Sequence, residues 1–113
     1  MLAGRHDISV EQGSTFNLYF VVDVDKNAWD FTGYVSRMMV RQSSYDTAVL
    51  DIPETDGSIV LGSDGSVNIT VDAATMAGIP EGTYVYDIEV ENEANEVWKL
   101  LKGRFTVFGE VSK

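Results

Sequence analysis

The chain has 113 residues, a net charge of −10 from 18 acidic and 8 basic residues, and no cysteine. A domain of this length buries roughly two-thirds of its unfolded surface, and the 44% hydrophobic content excludes wholesale disorder. The acidic balance opposes binding to nucleic acid and to anionic membranes, and the lack of cysteine excludes disulfides and thiolate chemistry.

The N-terminal residues 1–6 are expected to form a flexible tail, and residues 7–113 a single domain. No apolar run follows the basic residues of the tail, so a signal peptide is not predicted. No stretch approaches the roughly 18 apolar residues that span a bilayer. We therefore expect synthesis and folding in a cytoplasm.

The clearest strand in the first half covers residues 14–24, and a shorter one around Ile8 and Val10 precedes it. Alternate residues share one face of an extended strand. One face of the longer strand carries the apolar residues Phe16, Leu18, Phe20 and Val22. The opposite face includes Tyr19 and Val21. Their apolar side chains predict cover by an edge strand or a partner, so both are interface candidates.

A polar connection follows at residues 23–27, where Asp23, Asp25 and Asn27 match the opening of a calcium-binding loop. Such a loop needs glycine at its sixth position and glutamate at its twelfth. Here those positions hold Ala28 and Tyr34. The incomplete match favours a solvated hairpin turn over an ordered calcium site, and no cofactor is predicted.

The middle of the chain predicts several short strands and one helical turn. The strands cover residues 34–42, 48–52, 58–61 and 66–71. The helical turn covers residues 72–78, because Asp72 can cap its start and Gly78 can end it. Pro80 blocks continuation of the helix.

A long antiparallel hairpin is predicted over residues 82–111, with its turn at residues 93–96. The first strand has one apolar face, formed by Tyr84, Tyr86, Ile88 and Val90. In the second strand Trp98 falls on the face opposite Phe105, so we expect Trp98 on the outer surface as an interface candidate. Gly103 is the expected position of a bulge.

About eight strands at spacings of 8 to 12 residues, with one helical turn, are typical of an all-β sandwich or barrel. The acids lie mostly in turns or on outer faces, so no carboxylate pair is placed for catalysis. We expect Asp87 to form a salt bridge with Arg37 or Arg41. The one histidine, His6, lies in the predicted tail, which argues against a hydrolytic triad and a histidine-rich metal site. We predict that the protein is not an enzyme.

Aromatic side chains that we expect to be exposed indicate an alternative function. Trp29 lies beside a polar turn, and with Tyr45 it could form a platform on which sugar rings stack. A small carbohydrate-binding or adhesion module is therefore one hypothesis. Trp29 is also an interface candidate if the protein acts by binding other proteins.

Three motifs stand in order along the chain: Asp-Phe-Thr-Gly-Tyr at residues 30–34, Gly-Thr-Tyr-Val-Tyr-Asp-Ile-Glu at residues 82–89 and Leu-Lys-Gly-Arg-Phe-Thr-Val at residues 101–107. They resemble the corner motif and the last two strands of the immunoglobulin-like domains of tailed-bacteriophage structural proteins. These include the N-terminal domain of upper baseplate proteins and stand-alone relatives in marine phages. The similarity extends from about residue 7 to residue 108, although Ser14 replaces an acid that is common there.

The resemblance implies an antiparallel immunoglobulin-like β-sandwich with no catalytic residues to carry over. It implies a virion component of the tail, baseplate, neck or capsid decoration that acts by protein–protein assembly. The expected partners are other virion proteins and further copies of the chain, with no nucleic acid, membrane or small ligand. The expected location is the virion, after synthesis in the cytoplasm of an infected bacterium.

Overall fold

The computed structural model describes residues 4–42, 48–52 and 58–109. Alternating apolar residues fold most of these segments into strands, with one short helix, α1 (Ala73–Ala77). The strands are β1 (Gly4–Arg5), β2 (Ile8–Glu11), β3 (Phe16–Val21), β4 (Asp23–Val24), β5 (Asn27–Ala28), β6 (Val35–Arg41), β7 (Ala48–Ile52), β8 (Ile59–Leu61), β9 (Ser66–Val71), β10 (Gly82–Glu91) and β11 (Val97–Phe108). In these segments no helix has the length and apolar character needed to cross a bilayer.

The strands form two main sheets and a small ribbon. The large sheet has the order β1-β11-β10-β6-β7, and β2 also pairs with β11. The small sheet has the order β3-β9-β8, and β4 pairs with β5 in the ribbon. Strands β1 and β2 run parallel to β11, whereas the other neighbours are antiparallel.

The core lies between the two sheets and is built from the inward residue of each alternating pair. Phe16 of the small sheet packs edge-to-face on Phe105 of the large sheet, with ring centroids 5.5 Å apart. Phe105 also meets Tyr86 edge-on at 6.2 Å. The predicted apolar faces of β9 and β10 are confirmed; their buried residues are Val67, Ile69, Val71, Tyr84, Tyr86, Ile88 and Val90.

This arrangement is an immunoglobulin-like β-sandwich, which confirms the predicted fold class. A further feature of such folds is a tyrosine near the start of the strand that follows the corner, with its hydroxyl bonded to upstream backbone. Tyr84 has this role, because its hydroxyl donates to the carbonyl oxygen of Pro80 at 2.6 Å.

The predicted helical turn is confirmed as α1. Asp72 is its N-cap, and the backbone N–H of Thr75 donates to Asp72 Oδ1 at 2.7 Å. Met76 and Ile79 are buried and close this end of the sandwich. Gly78 ends the helix in a right-handed conformation, with φ −79°, so no left-handed cap is used.

The N-terminal segment joins the large sheet earlier than the sequence suggests. Gly4 and Arg5 pair with Leu101 and Lys102, and the backbone N–H of His6 donates to the carbonyl oxygen of Lys102 at 2.9 Å. Residues 4–6 of the predicted flexible tail therefore lie against β11 instead. Residues 1–3 and 110–113 lie outside the described residues.

A bulge in β11 lies at Leu100, not at Gly103. Ile88 pairs with Leu101 and Glu89 with Lys99, so Leu100 has no direct partner in β10. The extra residue shifts the alternation of β11, which turns both Trp98 and Phe105 toward the core. The expectation that these two residues face opposite ways is therefore wrong.

Candidate protein interaction surfaces

The outer side of the small sheet carries exposed apolar side chains on two strands; we call it the small-sheet face. The strand register places Tyr19 and Val60 on either side of Asn68. Tyr19 is 62% exposed, Val60 61% and Val21 48%. The outward positions of this face are Asn17, Tyr19, Val21, Val60, Ser66, Asn68 and Thr70.

None of these outward residues is charged, although 23% of the chain is charged. An uncharged surface with large exposed hydrophobic groups marks a place where a protein partner can be buried at low desolvation cost. The predicted exposure of Tyr19 and Val21 is confirmed. Their use as interface residues stays a prediction.

The edge of β3 borders an apolar groove. In the described parts of the chain β3 has one strand partner, β9, so its other edge is unpaired. The groove beside this edge has a volume of about 480 Å³ and is lined by residues of β1, β3 and β11, including Leu18, Phe20 and Leu101. Unpaired strand edges are ready positions for contact with another chain.

The outer side of the large sheet, which we call the large-sheet face, carries a row of ion pairs. Arg37 Nε lies 2.8 Å from Glu89 Oε1, and Arg37 Nη2 lies 3.1 Å from Glu91 Oε1. Lys99 Nζ lies 2.9 Å from Glu89 Oε2 and 3.1 Å from Asp87 Oδ2. The two cations and three acids therefore bind one another across three strands.

The predicted partner of Asp87 is therefore wrong: it is Lys99, and neither Arg37 nor Arg41. The register explains the difference, because Asp87 pairs with Met39 of β6, whereas Arg37 pairs with Glu89. A cross-strand ion pair forms most readily between directly opposed residues.

The pKa values of this row follow from its contacts. Burial raises the pKa of Glu89, but hydrogen bonds from Lys99 and Arg37 outweigh it and leave the pKa below its usual value. Burial lowers the pKa of Lys99, but its bonds to Glu89 and Asp87 outweigh that and leave it raised. Both groups are therefore held in their charged forms.

A basic depression lies beside this row on the large-sheet face. Its volume is about 500 Å³, and five of the eight lysine and arginine residues line it. They are Arg5, Arg41, Lys99, Lys102 and Arg104. We call it the basic basin. Asp87 is the acid among its lining residues, so the basin is positive in a strongly acidic protein.

The predicted calcium-loop residues form a tight turn. Asp25 and Lys26 both have positive φ, 53° and 68°, and connect β4 to β5. Asn27 Nδ2 donates to the carbonyl oxygen of Asp25 at 3.1 Å. Across residues 4–42, 48–52 and 58–109, no group of three or more histidines and acids is placed to hold a metal ion.

The two tryptophans lie partly inside the molecule. Trp29 and Trp98 both pack against the core, and Trp98 lies 6.1 Å from Tyr34 between ring centroids. Trp29 Nε1 is buried and has no hydrogen-bond partner among the described residues. Tyr45, the second residue of the predicted sugar platform, lies outside the described residues.

Two features of these surfaces were not predicted from the sequence. Val60 completes the small-sheet face, and its signal was the run Ile59-Val60-Leu61, which places apolar residues on both faces of one strand. The basic basin draws on Arg5, Arg41 and β11. Its local signal was Lys102 and Arg104, which are spaced to share one face of a strand.

The comparisons with known proteins add the following findings. No protein-family model matches the sequence, and no curated protein matches it significantly. Among solved structures, the chain is similar to one from the crystal structure of ICOS in complex with ICOS-L and an anti ICOS-L VNAR domain. The TM-score is 0.46 and the identity 10%; the match covers 95% of this chain and 55% of that one.

Proposed function

We propose that the chain is a bacteriophage virion structural protein that acts by binding neighbouring virion proteins and copies of itself. The observation that carries this proposal is the small-sheet face, where Tyr19, Val21 and Val60 are exposed in an uncharged setting. The ordered strand and corner motifs that resemble those of phage tail and baseplate domains support the virion location.

Assembly would bury the small-sheet face against a neighbour. Tyrosine supplies a large apolar contact with a polar end, and buried tyrosines often dominate the energy of an interface. The unpaired edge of β3 lies beside this face. A contact that covers both can combine side-chain burial with backbone hydrogen bonds.

The test is the solution mass, measured by size-exclusion chromatography with light scattering over a wide concentration range. We expect a discrete oligomer for the natural chain and a lower mass for Tyr19→Asp, because a charge at the centre of the face cannot be buried unpaired. Ala74→Asp is the matched control. It adds the same charge on the exposed first turn of α1, away from the face.

Thermal unfolding of each variant shows whether it still folds. A mass that is the same for the natural chain and Tyr19→Asp at every concentration would contradict self-assembly through this face. An equal loss of mass in Ala74→Asp would do so as well, because the effect would then follow from net charge alone.

A further inference from the structure

The large-sheet face carries a cluster of cations in the half that lies away from the β10–β11 turn. In the strand register, Val85 is flanked by Arg104 on one side and Arg41 on the other. Lys102 lies in the next outward row of β11, and Arg5 pairs with it on β1. None of the salt bridges among the described residues uses these four cations.

Several acids offset part of this charge: Asp7 near the N-terminus, Asp87 and Asp51 in the row of Lys102, and Glu11 beyond the cluster, opposite Phe108. The backbone N–H of Arg104 donates to Asp7 Oδ1 at 3.0 Å and lowers the pKa of Asp7, and the charges of Arg5 and Arg104 lower it further. Asp87 is bound by Lys99, so among the described residues these four cations exceed the remaining nearby acids, Asp7 and Asp51, and the cluster is positive.

The same face is acidic at the β10–β11 turn. Glu91 is the last residue of β10, and the turn that follows exposes Glu93 and Glu96. Glu96 Oε1 accepts a 3.0 Å hydrogen bond from Asn92, which holds one carboxylate on the turn. Eight residues separate Arg104 from Glu96, or roughly 26 Å at about 3.3 Å per residue.

Apolar side chains are interspersed with these charges. Of the eight exposed large hydrophobic residues in the described segments, five belong to this face: Val35, Val49, Val85, Val97 and Phe108. Strands β6, β7, β10 and β11 hold 34 residues, which at about 3.3 Å along and about 4.8 Å between strands present roughly 540 Å². Two such faces would bury roughly 1,100 Å², just above the area of about 1,000 Å² that a biological interface needs.

We propose that two copies of the chain pair through their large-sheet faces in antiparallel orientation, so that each basic basin receives the acidic turn of the other copy. A two-fold axis that lies in the interface plane, perpendicular to the strands, reverses the strand direction and brings the cation cluster of each face onto the acidic turn of its partner. The parallel orientation would oppose like charges.

Charge complementarity is what selects a second copy as the occupant. Two chains of net charge −10 repel each other over most approaches. The antiparallel orientation places carboxylates of one copy at the largest group of cations on the other. This surface differs from the small-sheet face, so the inference goes beyond the assembly role proposed above and can be tested separately from it.

The experiment uses two charge-reversed variants of the full chain. The basin variant carries Lys102→Glu and Arg104→Glu, and the turn variant carries Glu93→Lys and Glu96→Lys. We expect a dimer for the natural chain, at least a tenfold weaker dimer for each variant alone, and a restored dimer when the two are mixed in equal amounts. Lys26→Glu, on the exposed turn between β4 and β5, is the control and should leave the dimer unchanged.

Light scattering and sedimentation give the mass, and added salt should weaken the dimer because exposed charges are screened. If the basin variant fails to fold, Lys102→Gln with Arg104→Gln removes the charge without reversing it. A natural chain that stays monomeric at millimolar concentration would overturn the inference, as would folded variants that do not recombine. Inorganic phosphate binding to a monomeric chain would identify a small-anion site and would also overturn it.

The variant Tyr19→Asp distinguishes association through the small-sheet face from association through the large-sheet face. That variant should keep the large-sheet dimer and lose only the further assembly. Loss of all association in Tyr19→Asp, with none in the basin variant, would support the small-sheet face alone and overturn the pairing proposed here. The reverse result would support the pairing and count against the small-sheet face.

Discussion

The hydroxyl of Tyr84 donates a 2.6 Å hydrogen bond to the carbonyl oxygen of Pro80, four residues earlier. This bond ties the start of β10 to the corner that leaves α1. Tyr84 is only 4% exposed, so its ring also belongs to the core. The relationship joins the helix, the corner and the central hairpin of the large sheet in one contact.

Tyr84→Phe should therefore lower the free energy of unfolding by about 1 kcal/mol, because the carbonyl of Pro80 loses its donor while the ring stays packed. Urea unfolding should show a lower midpoint with an unchanged slope. Tyr19→Phe removes a hydroxyl from an exposed ring and is the matched control. Equal effects of the two substitutions would show that the corner bond contributes nothing.

Gly103 allows the N-terminal segment to approach β11. A Cβ at this position would overlap the carbonyl oxygen of His6 and lie 2.9 Å from Asp7 Oδ1. The same carbonyl accepts a hydrogen bond from the hydroxyl of Tyr86, which holds the segment against β10 and β11. Burial raises the pKa of that hydroxyl to about 12, and the charge of Asp7 raises it too, so the tyrosine remains a donor.

Gly103→Ala should destabilise the fold by about 1–3 kcal/mol, the usual cost of forcing an added methyl group into a packed site. Gly78→Ala is the control, because the nearest atom to its Cβ would be Thr75 O at an ordinary 3.4 Å. Hydrogen exchange should show faster exchange in residues 4–11 for Gly103→Ala. Unchanged exchange there would contradict the close approach.

The row of ion pairs predicts an acid-dependent loss of stability. The pKa of Glu89 is lowered from 4.5 in the folded protein, so its contribution is present above this value and is lost as the pH falls through the lower folded pKa. The row is partly exposed to solvent, so we expect about 1 kcal/mol or less. The free energy of unfolding, measured from neutral pH downward, should fall less steeply below pH 4.5 for Glu89→Gln than for the natural chain.

Glu93→Gln is the control for that experiment, because it removes the same charge from an exposed turn. If both variants give the same pH profile as the natural chain, the ion pairs do not contribute to acid stability.

Strict alternation is what made the long hairpin predictable. Tyr84, Tyr86, Ile88 and Val90 repeat at every second position, and a short polar turn follows. Such a pattern specifies the strand, its buried face and its reversal, because a one-residue slip would expose the whole apolar set. The helical turn was predictable for a similar reason, because its cap, Asp72, and its end, Gly78, lie within the same short stretch of sequence.

Features that depend on pairing between distant segments could not be predicted in the same way. The sequence does not show that β1 and β2 run parallel to β11, nor that Glu89, instead of Asp87, lies opposite Arg37. Both follow from register between segments far apart in the chain. The charge gradient of the large-sheet face has the same origin, because Arg41, Arg104 and Arg5 come from three different strands.

The bulge at Leu100 changes what is expected of Trp98. Under strict alternation Trp98 would face a partner, and its removal would weaken assembly more than folding. With the bulge, the ring packs against the core and Tyr34, so Trp98→Ala should lower the free energy of unfolding by about 2–4 kcal/mol.

Phe108→Ala is the control, since Phe108 is 54% exposed and should change stability by less than about 0.5 kcal/mol. Urea unfolding measures the stability of both variants. Light scattering, under conditions in which each variant is folded, measures association separately from stability. A Trp98→Ala variant that keeps full stability but loses association would place the indole in an interface and contradict its position in the core.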